Sequence, residues 1–232
     1  MNNYELYKNV LTQWGTTLSG ALNKEESLLF NKYITQNKCK ILEAGCGGGR
    51  ISFALEDSYN CQLDSFDYID DFIENAKAHR DSKINFFIAD ATNLSMLEDN
   101  YYDYTVYLQR IIDFIPYSEI QKAISEAYRV TKKGGVMICS VLNYEGRWFN
   151  PLLSFILGIL RNIRKEDKTK QELPWLRING KPNYKLFKKD QPTIYWFRRN
   201  EFTALLKSTG YEIIEEYIAD GKETITYYVC IK

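Results

Sequence analysis

The stretch Ile41-Leu42-Glu43-Ala44-Gly45-Cys46-Gly47-Gly48-Gly49-Arg50 constrains the fold more than any other part of the 232 residues. Two apolar residues of strand character run into an acid, a glycine turn follows at once, and Ile51 to Leu55 then take up helical spacing. Glycine is required where backbone must bend sharply or approach a ligand with no Cβ in the way. The helix after such a turn points free N–H groups and the positive end of its dipole into the same crevice. In an open α/β sheet that crevice, at the carboxyl ends of the strands, takes nucleotide-like ligands.

The spacing narrows the ligand. A dinucleotide fingerprint reads G-x-G-x-x-G. Gly45 and Gly47 fit its first two positions, but the third falls on Arg50, and no Lys-Ser/Thr follows to make a P-loop. Glu43, two residues ahead of the turn, would repel a pyrophosphate and attract a ligand carrying an ammonium or sulfonium. That is the charge pattern of S-adenosylmethionine.

The stretch resembles motif I of the class I S-adenosylmethionine-dependent methyltransferases, of the small-molecule type. Four further segments follow in the family's order. Leu63-Asp64-Ser65-Phe66-Asp67 resembles the second strand with its ribose-gripping acid. Phe87-Ile88-Ala89-Asp90-Ala91 resembles the third strand and the acid that meets the adenine amino group. Tyr102 to Gln109 resembles the fourth strand and its cofactor-facing end. Tyr128 to Val136 resembles the helix, tight loop and fifth strand. The resemblance implies a Rossmann-like, seven-stranded, mostly parallel sheet with helices on both faces and an antiparallel C-terminal hairpin. It implies methyl transfer (EC 2.1.1 class) with S-adenosyl-L-methionine as cofactor. Glu43, Gly45, Cys46, Gly47 and Gly49 would hold its methionine half. Asp67 would take the ribose, Tyr68 the adenine ring, Asp90 and Ala91 the adenine amino edge, and Leu108 and Gln109 the methionine ammonium.

Lys+Arg and Asp+Glu both total 30, so no net charge favours broad capture of nucleic acid, and such a partner is not expected. The five cysteines (Cys39, Cys46, Cys61, Cys139, Cys230) form no C-x-x-C pair and read as small buried hydrophobes of a reducing cytosol rather than disulfide or zinc ligands. No metal site is expected. The N-terminus lacks a secretory pattern, and no apolar run approaches the roughly 20 residues of a membrane span, so the expected location is cytoplasmic.

Three regions are expected. Residues 1–37 read as a helical cap, with Leu6, Val10 and Leu11, then Leu28, Leu29 and Tyr33, at helical spacing and a break near Trp14-Gly15. Tyr4, Tyr7 and Trp14 would touch cofactor or acceptor, or simply cover the sheet. Residues 38–143 and 200–232 read as the methyltransferase core. In it Asp70 is expected to cap a helix over 71–79, Ser118-Glu119-Ile120-Gln121 to form a capping box, and Ile120, Ala123, Ile124, Ala127 and Val130 to form a core stripe. Gly134-Gly135 is expected to turn into a strand over 136–141. Asn200 would cap a helix ended by Gly210, and Ala219-Asp220-Gly221-Lys222 would join two strands as a hairpin.

Residues 144–199 break the alternation: about 55 residues stand where α/β connections usually run about 2–6. Rich in Trp, Tyr and Pro, they read as an inserted lid. Within them 151–160 is apolar nearly all round and runs into Arg161 to Lys165. Such a helix is covered by protein (a homodimer contact included), binds an apolar acceptor, or lies on a membrane surface through 151–165.

The reaction implied is in-line displacement on the sulfonium methyl by a small, partly apolar acceptor. Alternatives are a protein or nucleic-acid acceptor, using the basic run 161–170, or a non-catalytic cofactor-binding assembly module. No catalytic residue is obligatory; Asp113 and Tyr144 are the candidates beside the acceptor, with Tyr107 and Arg147 at neighbouring strand ends. His79, the single histidine, sits late in a helix as a surface residue. Leu108-Gln109-Arg110-Ile111 stands where an adenine amino-methylase would carry Asn/Asp-Pro-Pro-Tyr/Phe. No cluster of acids and Asn suggests bound magnesium.

Overall fold

In the computed structural model, which describes residues 22–178, 181–189, 193–219 and 224–232, a seven-stranded sheet organises the chain. Its order is β10-β11-β5-β4-β1-β2-β3. The strands are β1 (Lys40–Ala44), β2 (Gln62–Asp67), β3 (Asn85–Ile88), β4 (Tyr102–Tyr107), β5 (Thr131–Leu142), β10 (Glu212–Ile218) and β11 (Ile225–Ile231). β3, β2, β1, β4 and β5 run parallel, while β11 pairs antiparallel with both β5 and β10. The order reverses between β1 and β4, which opens a crevice at their carboxyl ends.

Side-chain alternation explains the two-sided packing. Along β11, Tyr227 and Val229 enter one core, while Tyr228 and Cys230 enter the other. The first core lies under α1 (Lys24–Tyr33), α2 (Arg50–Ser58) and α3 (Asp70–His79), with Phe30, Ile51, Leu55 and Ile73 packed against Ile41, Val106 and Ile138. The second lies under α5 (Tyr117–Val130) and α7 (Arg199–Thr209), with Ile124, Phe202 and Leu206 on Leu42, Tyr107 and Met137. The stripe expected on α5 is the face that is buried.

Several helix starts differ from expectation. Ile69, not Asp70, is the cap of α3: Asp67 Oδ1 already accepts from Ile69 N–H (2.9 Å), so Asp70 falls into the first turn. The capping box at Ser118 is not formed. Pro116, with φ fixed near −52°, starts α5 two residues earlier and leaves Ser118 inside the helix. Asn200 is likewise inside α7; Arg198 is the cap residue and Glu201 accepts from its N–H (3.4 Å). β5 begins at Thr131, before Gly134-Gly135, because Gly134 N–H and Gly135 C=O both bond to Lys232 across the neighbouring strand.

Two cysteines also differ from expectation. Cys39 and Cys61 form a disulfide with Cα atoms 4.6 Å apart. They precede β1 and β2, and Gln62 N–H donates to Cys39 C=O (2.8 Å), so parallel pairing brings them side by side. Sequence spacing carries no trace of that register. Cys46, Cys139 and Cys230 are buried and free. The cysteines therefore no longer argue for a reducing compartment. Among the described residues no helix is long and apolar enough to cross a membrane.

Residues 144–199 start with a 3-10 turn (Tyr144–Gly146) and α6 (Asn150–Arg164), followed by short strands β6 (Glu172–Pro174), β7 (Arg177–Ile178), β8 (Lys181–Pro182) and β9 (Thr193–Tyr195). Leu153, Leu157, Leu173, Ile194 and Trp196 pack with Leu142 and Tyr144 into a third, smaller core. The expected hairpin joins β10 to β11; its turn at 220–223 lies outside the described residues, as do Tyr4, Tyr7 and Trp14.

Candidate functional site

A cavity of about 620 Å³ opens at the carboxyl ends of β1, β2 and β3. Its floor is the turn after β1. Gly45, Gly47 and Gly49 all have positive φ. A Cβ on Gly45 would stand 2.1 Å from Ile111 Cδ1, so the turn and the first residue of α4 (Ile111–Phe114) pack together only because that atom is missing.

The second wall is the end of β2. Asp67 is buried, and its two oxygens accept from Gly47 N–H and Ile69 N–H, both at 2.9 Å. Burial raises its pKa, and those N–H groups oppose the shift. Each oxygen retains a further lone pair for a ligand hydroxyl. Tyr68, 42% exposed, stands on the rim. Asp90 closes the third wall after β3: its Oδ1 accepts from Thr92 N–H (2.8 Å) and fixes the turn carrying Ala91. Gln109, in the left-handed region at φ 56°, faces the cavity from the end of β4.

Eight of the residues named from the sequence therefore line one cavity: Gly45, Cys46, Gly47, Asp67, Tyr68, Asp90, Ala91 and Gln109. Glu43, Gly49 and Leu108 are not on its wall. Glu43 is buried beneath the turn, where Ser52 Oγ donates to it; burial above all lifts its pKa to about 7. Gly49 is the left-handed cap of α2, with Phe53 packed where a Cβ would be. Leu108 is buried in the core.

The acceptor-side candidates require larger corrections. Asp113 is 1% exposed, and both its oxygens accept from Leu142 N–H (3.1 and 3.0 Å). It ties α4 to the end of β5, and burial holds its pKa well above the usual carboxylate range. Tyr144 is buried in the third core with Arg198 over its ring, and Tyr107 is buried in the sheet. Arg147 lies over the Trp196 ring, 4.2 Å from its centroid. All are turned away because the chain beyond β4 and β5 folds back into core rather than into the crevice.

The residues found there instead are Phe114, Ile115 and Pro116, with the Glu119 carboxylate from the first turn of α5. Sequence reading took Glu119 as part of a cap. No described residue of 144–199 lines the cavity, although Trp175 contacts Phe114 edge-to-face (centroids 5.7 Å) and so supports the wall from behind. Arg50 on the rim pairs with buried Glu26 through two bonds (2.7 and 2.8 Å), which clamps α1 to the cavity edge. That pair joins positions 24 apart, beyond any local pattern. Among the described residues no cluster of His, Cys, Asp and Glu is arranged to hold a metal.

Residues 41–135 match the family model described as a methyltransferase domain. No curated protein matches the chain. Among solved structures, the fold is similar to that of the PH0226 protein of Pyrococcus horikoshii (TM-score 0.67, 21% identity, 98% of each chain covered). It is also similar to a SAM-dependent methyltransferase of Methanosarcina mazei (0.68, 20% identity, 92% of this chain and 99% of that one). The [4+2]-cyclase SpnF is another neighbour (0.66, 13% identity, 99% and 93%). At these identities the neighbours speak for the fold alone. Residues 41–135 are thus similar to a methyltransferase domain, and the chain as a whole carries a fold shared with a SAM-dependent methyltransferase.

Proposed function

We propose that the chain transfers a methyl group from S-adenosylmethionine to a small, partly apolar acceptor held in the same cavity. One observation carries this reading: a single enclosure of about 620 Å³ joins the polar groups suited to the cofactor with the apolar wall Ile111, Phe114, Ile115 and Pro116. Its volume lies in the range of small-molecule sites, roughly 300–1,000 Å³.

The groups present fit the cofactor. Asp67 offers acceptor lone pairs to a pair of ribose hydroxyls, and Asp90 offers one to an adenine amino group. The bare backbone from Gly45 to Gly48 lets a chain with an amino and a carboxylate end lie close above it. Glu43, under that backbone, gains charge when a cation is bound nearby, because its pKa of about 7 leaves it poised between forms. The bound cofactor supplies an electrophilic sulfonium methyl. The protein supplies alignment, which lowers a barrier by several kcal/mol, and a dry wall. Glu119 is the carboxylate placed to accept an acceptor's proton. Among our sequence-derived candidates, Asp113 and Tyr144 are positioning groups behind the wall. In this reading residues 144–199 act as a buttress through Trp175 and Phe114, not as a lid.

The test is turnover. Purified protein given methyl-labelled cofactor and a panel of phenols, quinones and amines should label at least one small acceptor. Label appearing only in protein or RNA, or in nothing while the cofactor binds, rejects the proposal.

A further inference from the structure

We propose that α6 docks the protein on an anionic lipid surface through its outward face. The helix has two opposed faces at helical spacing. Leu153 and Leu157 point into the third core, and Arg161 is buried on the same side, where it donates to the Thr169 and Glu172 carbonyls. Leu152, Phe155, Ile156, Ile159 and Ile163 point outward and are 38–74% exposed. Five large apolar side chains in one stripe exceed the scattered surface hydrophobes that need no explanation. Trp148, 87% exposed, stands just before the helix, and Tyr184 and Phe187 are exposed on the segment beside it. Arg164 Nη1 donates to Phe187 C=O (2.8 Å), which fixes that segment against the C-terminal half of α6.

Charge selects the occupant. The chain as a whole is balanced at 30 basic and 30 acidic residues, yet residues 144–199 hold thirteen Lys/Arg and five Asp/Glu. Lys165, Lys170, Lys185, Lys188 and Lys189 are exposed. Lys165 follows the helix directly, Ser154 Oγ donates to Lys170 C=O (2.7 Å), and Lys188 lines a shallow cleft with Leu160 and Arg164. An apolar stripe with aromatic and cationic flanks is the pattern of a helix lying in a bilayer interface: the apolar face enters the acyl boundary and the ammonium groups reach anionic headgroups. A second copy fits poorly. A two-fold contact sets the same patch against itself and would bring the two lysine fringes together.

The experiment floats the full chain with phosphatidylcholine vesicles, and with vesicles that also contain phosphatidylglycerol. Binding is expected to be about tenfold stronger on the anionic vesicles and to weaken as salt is raised. Phe155→Asp combined with Ile159→Asp should lower it at least about tenfold while S-adenosylhomocysteine affinity is kept. Lys185→Glu/Lys188→Glu/Lys189→Glu, which alters only exposed side chains, should abolish the preference for anionic vesicles and serves if the first variant fails to fold. Three outcomes overturn the proposal: no binding, equal binding to both vesicles, or a dimer in sedimentation equilibrium that Phe155→Asp/Ile159→Asp dissolves.

Discussion

The carboxyl edge of the sheet and the segment 144–199 solve opposite problems. At the edge, backbone does the work: positive-φ glycines and two strand-end acids, Asp67 and Asp90, surround an opening. In 144–199 side chains do the work: Leu153, Leu157, Leu173 and Trp196 build a separate small core, and Trp175 on Phe114 backs the cavity from that side. A site made of backbone turns is intolerant of a single methyl group. An apolar segment with its own core is intolerant of a lost one. The two regions therefore fail in different measurements.

The largest separation is expected from Gly45→Val. The new side chain would collide with Ile111 in a left-handed backbone conformation, so cofactor affinity should fall by a hundredfold or more, about 3 kcal/mol, in calorimetry. Leu157→Ala should do the reverse. It removes core from the other region and should cost about 2–5 kcal/mol in urea unfolding while leaving S-adenosylhomocysteine affinity within about twofold. Should Leu157→Ala weaken binding as much as it weakens folding, the two regions are one cooperative unit and the contrast fails.

Asp67→Ala comes next, with a loss well over tenfold in cofactor affinity, since Gly47 N–H and Ile69 N–H lose their acceptor along with any ribose contact. Unchanged affinity would remove Asp67 from the site.

Glu43 gives a pH signature. Its folded pKa, about 7, lies above the ordinary glutamate value of 4.5, so the native state keeps a proton that the unfolded chain has released. Its contribution to stability is therefore present below the ordinary value and declines as pH climbs toward 7. A bound cation favours the charged form, so cofactor affinity should drop by up to about tenfold per pH unit below 7, and Glu43→Gln should flatten that slope. A slope that persists in Glu43→Gln assigns it elsewhere.

The smallest effect is expected at Asn200. Arg198 is the cap residue, so Asn200→Ala should change stability by less than about 0.5 kcal/mol, where loss of a true cap costs about 1.

The sheet and most of the cavity wall are legible in the sequence because glycine spacing, strand-end acids and the α5 stripe are local patterns. Asp67 and Asp90 could be placed by counting from the glycine turn. What was missed depends on three-dimensional register. Asp113 has the sequence surroundings of a crevice acid, yet α4 turns it onto Leu142 N–H. The Cys39–Cys61 bond needs β1 and β2 paired before it can be seen. Glu119 was hidden by the shift of a helix start by two residues at Pro116. The segment 151–160 reads as apolar nearly all round because sequence cannot tell which half of its stripe Leu142 and Trp196 would cover.

The central claim is that the opening above Gly45–Gly48 holds the cofactor, and a crystal structure with S-adenosylhomocysteine tests it most directly. The ribose hydroxyls are expected within hydrogen-bond distance of Asp67 and the adenine amino group on Asp90, with the sulfur facing Phe114 and Ile115. Ligand bound anywhere else, or a glycine turn closed over an empty opening at saturating ligand, would contradict it.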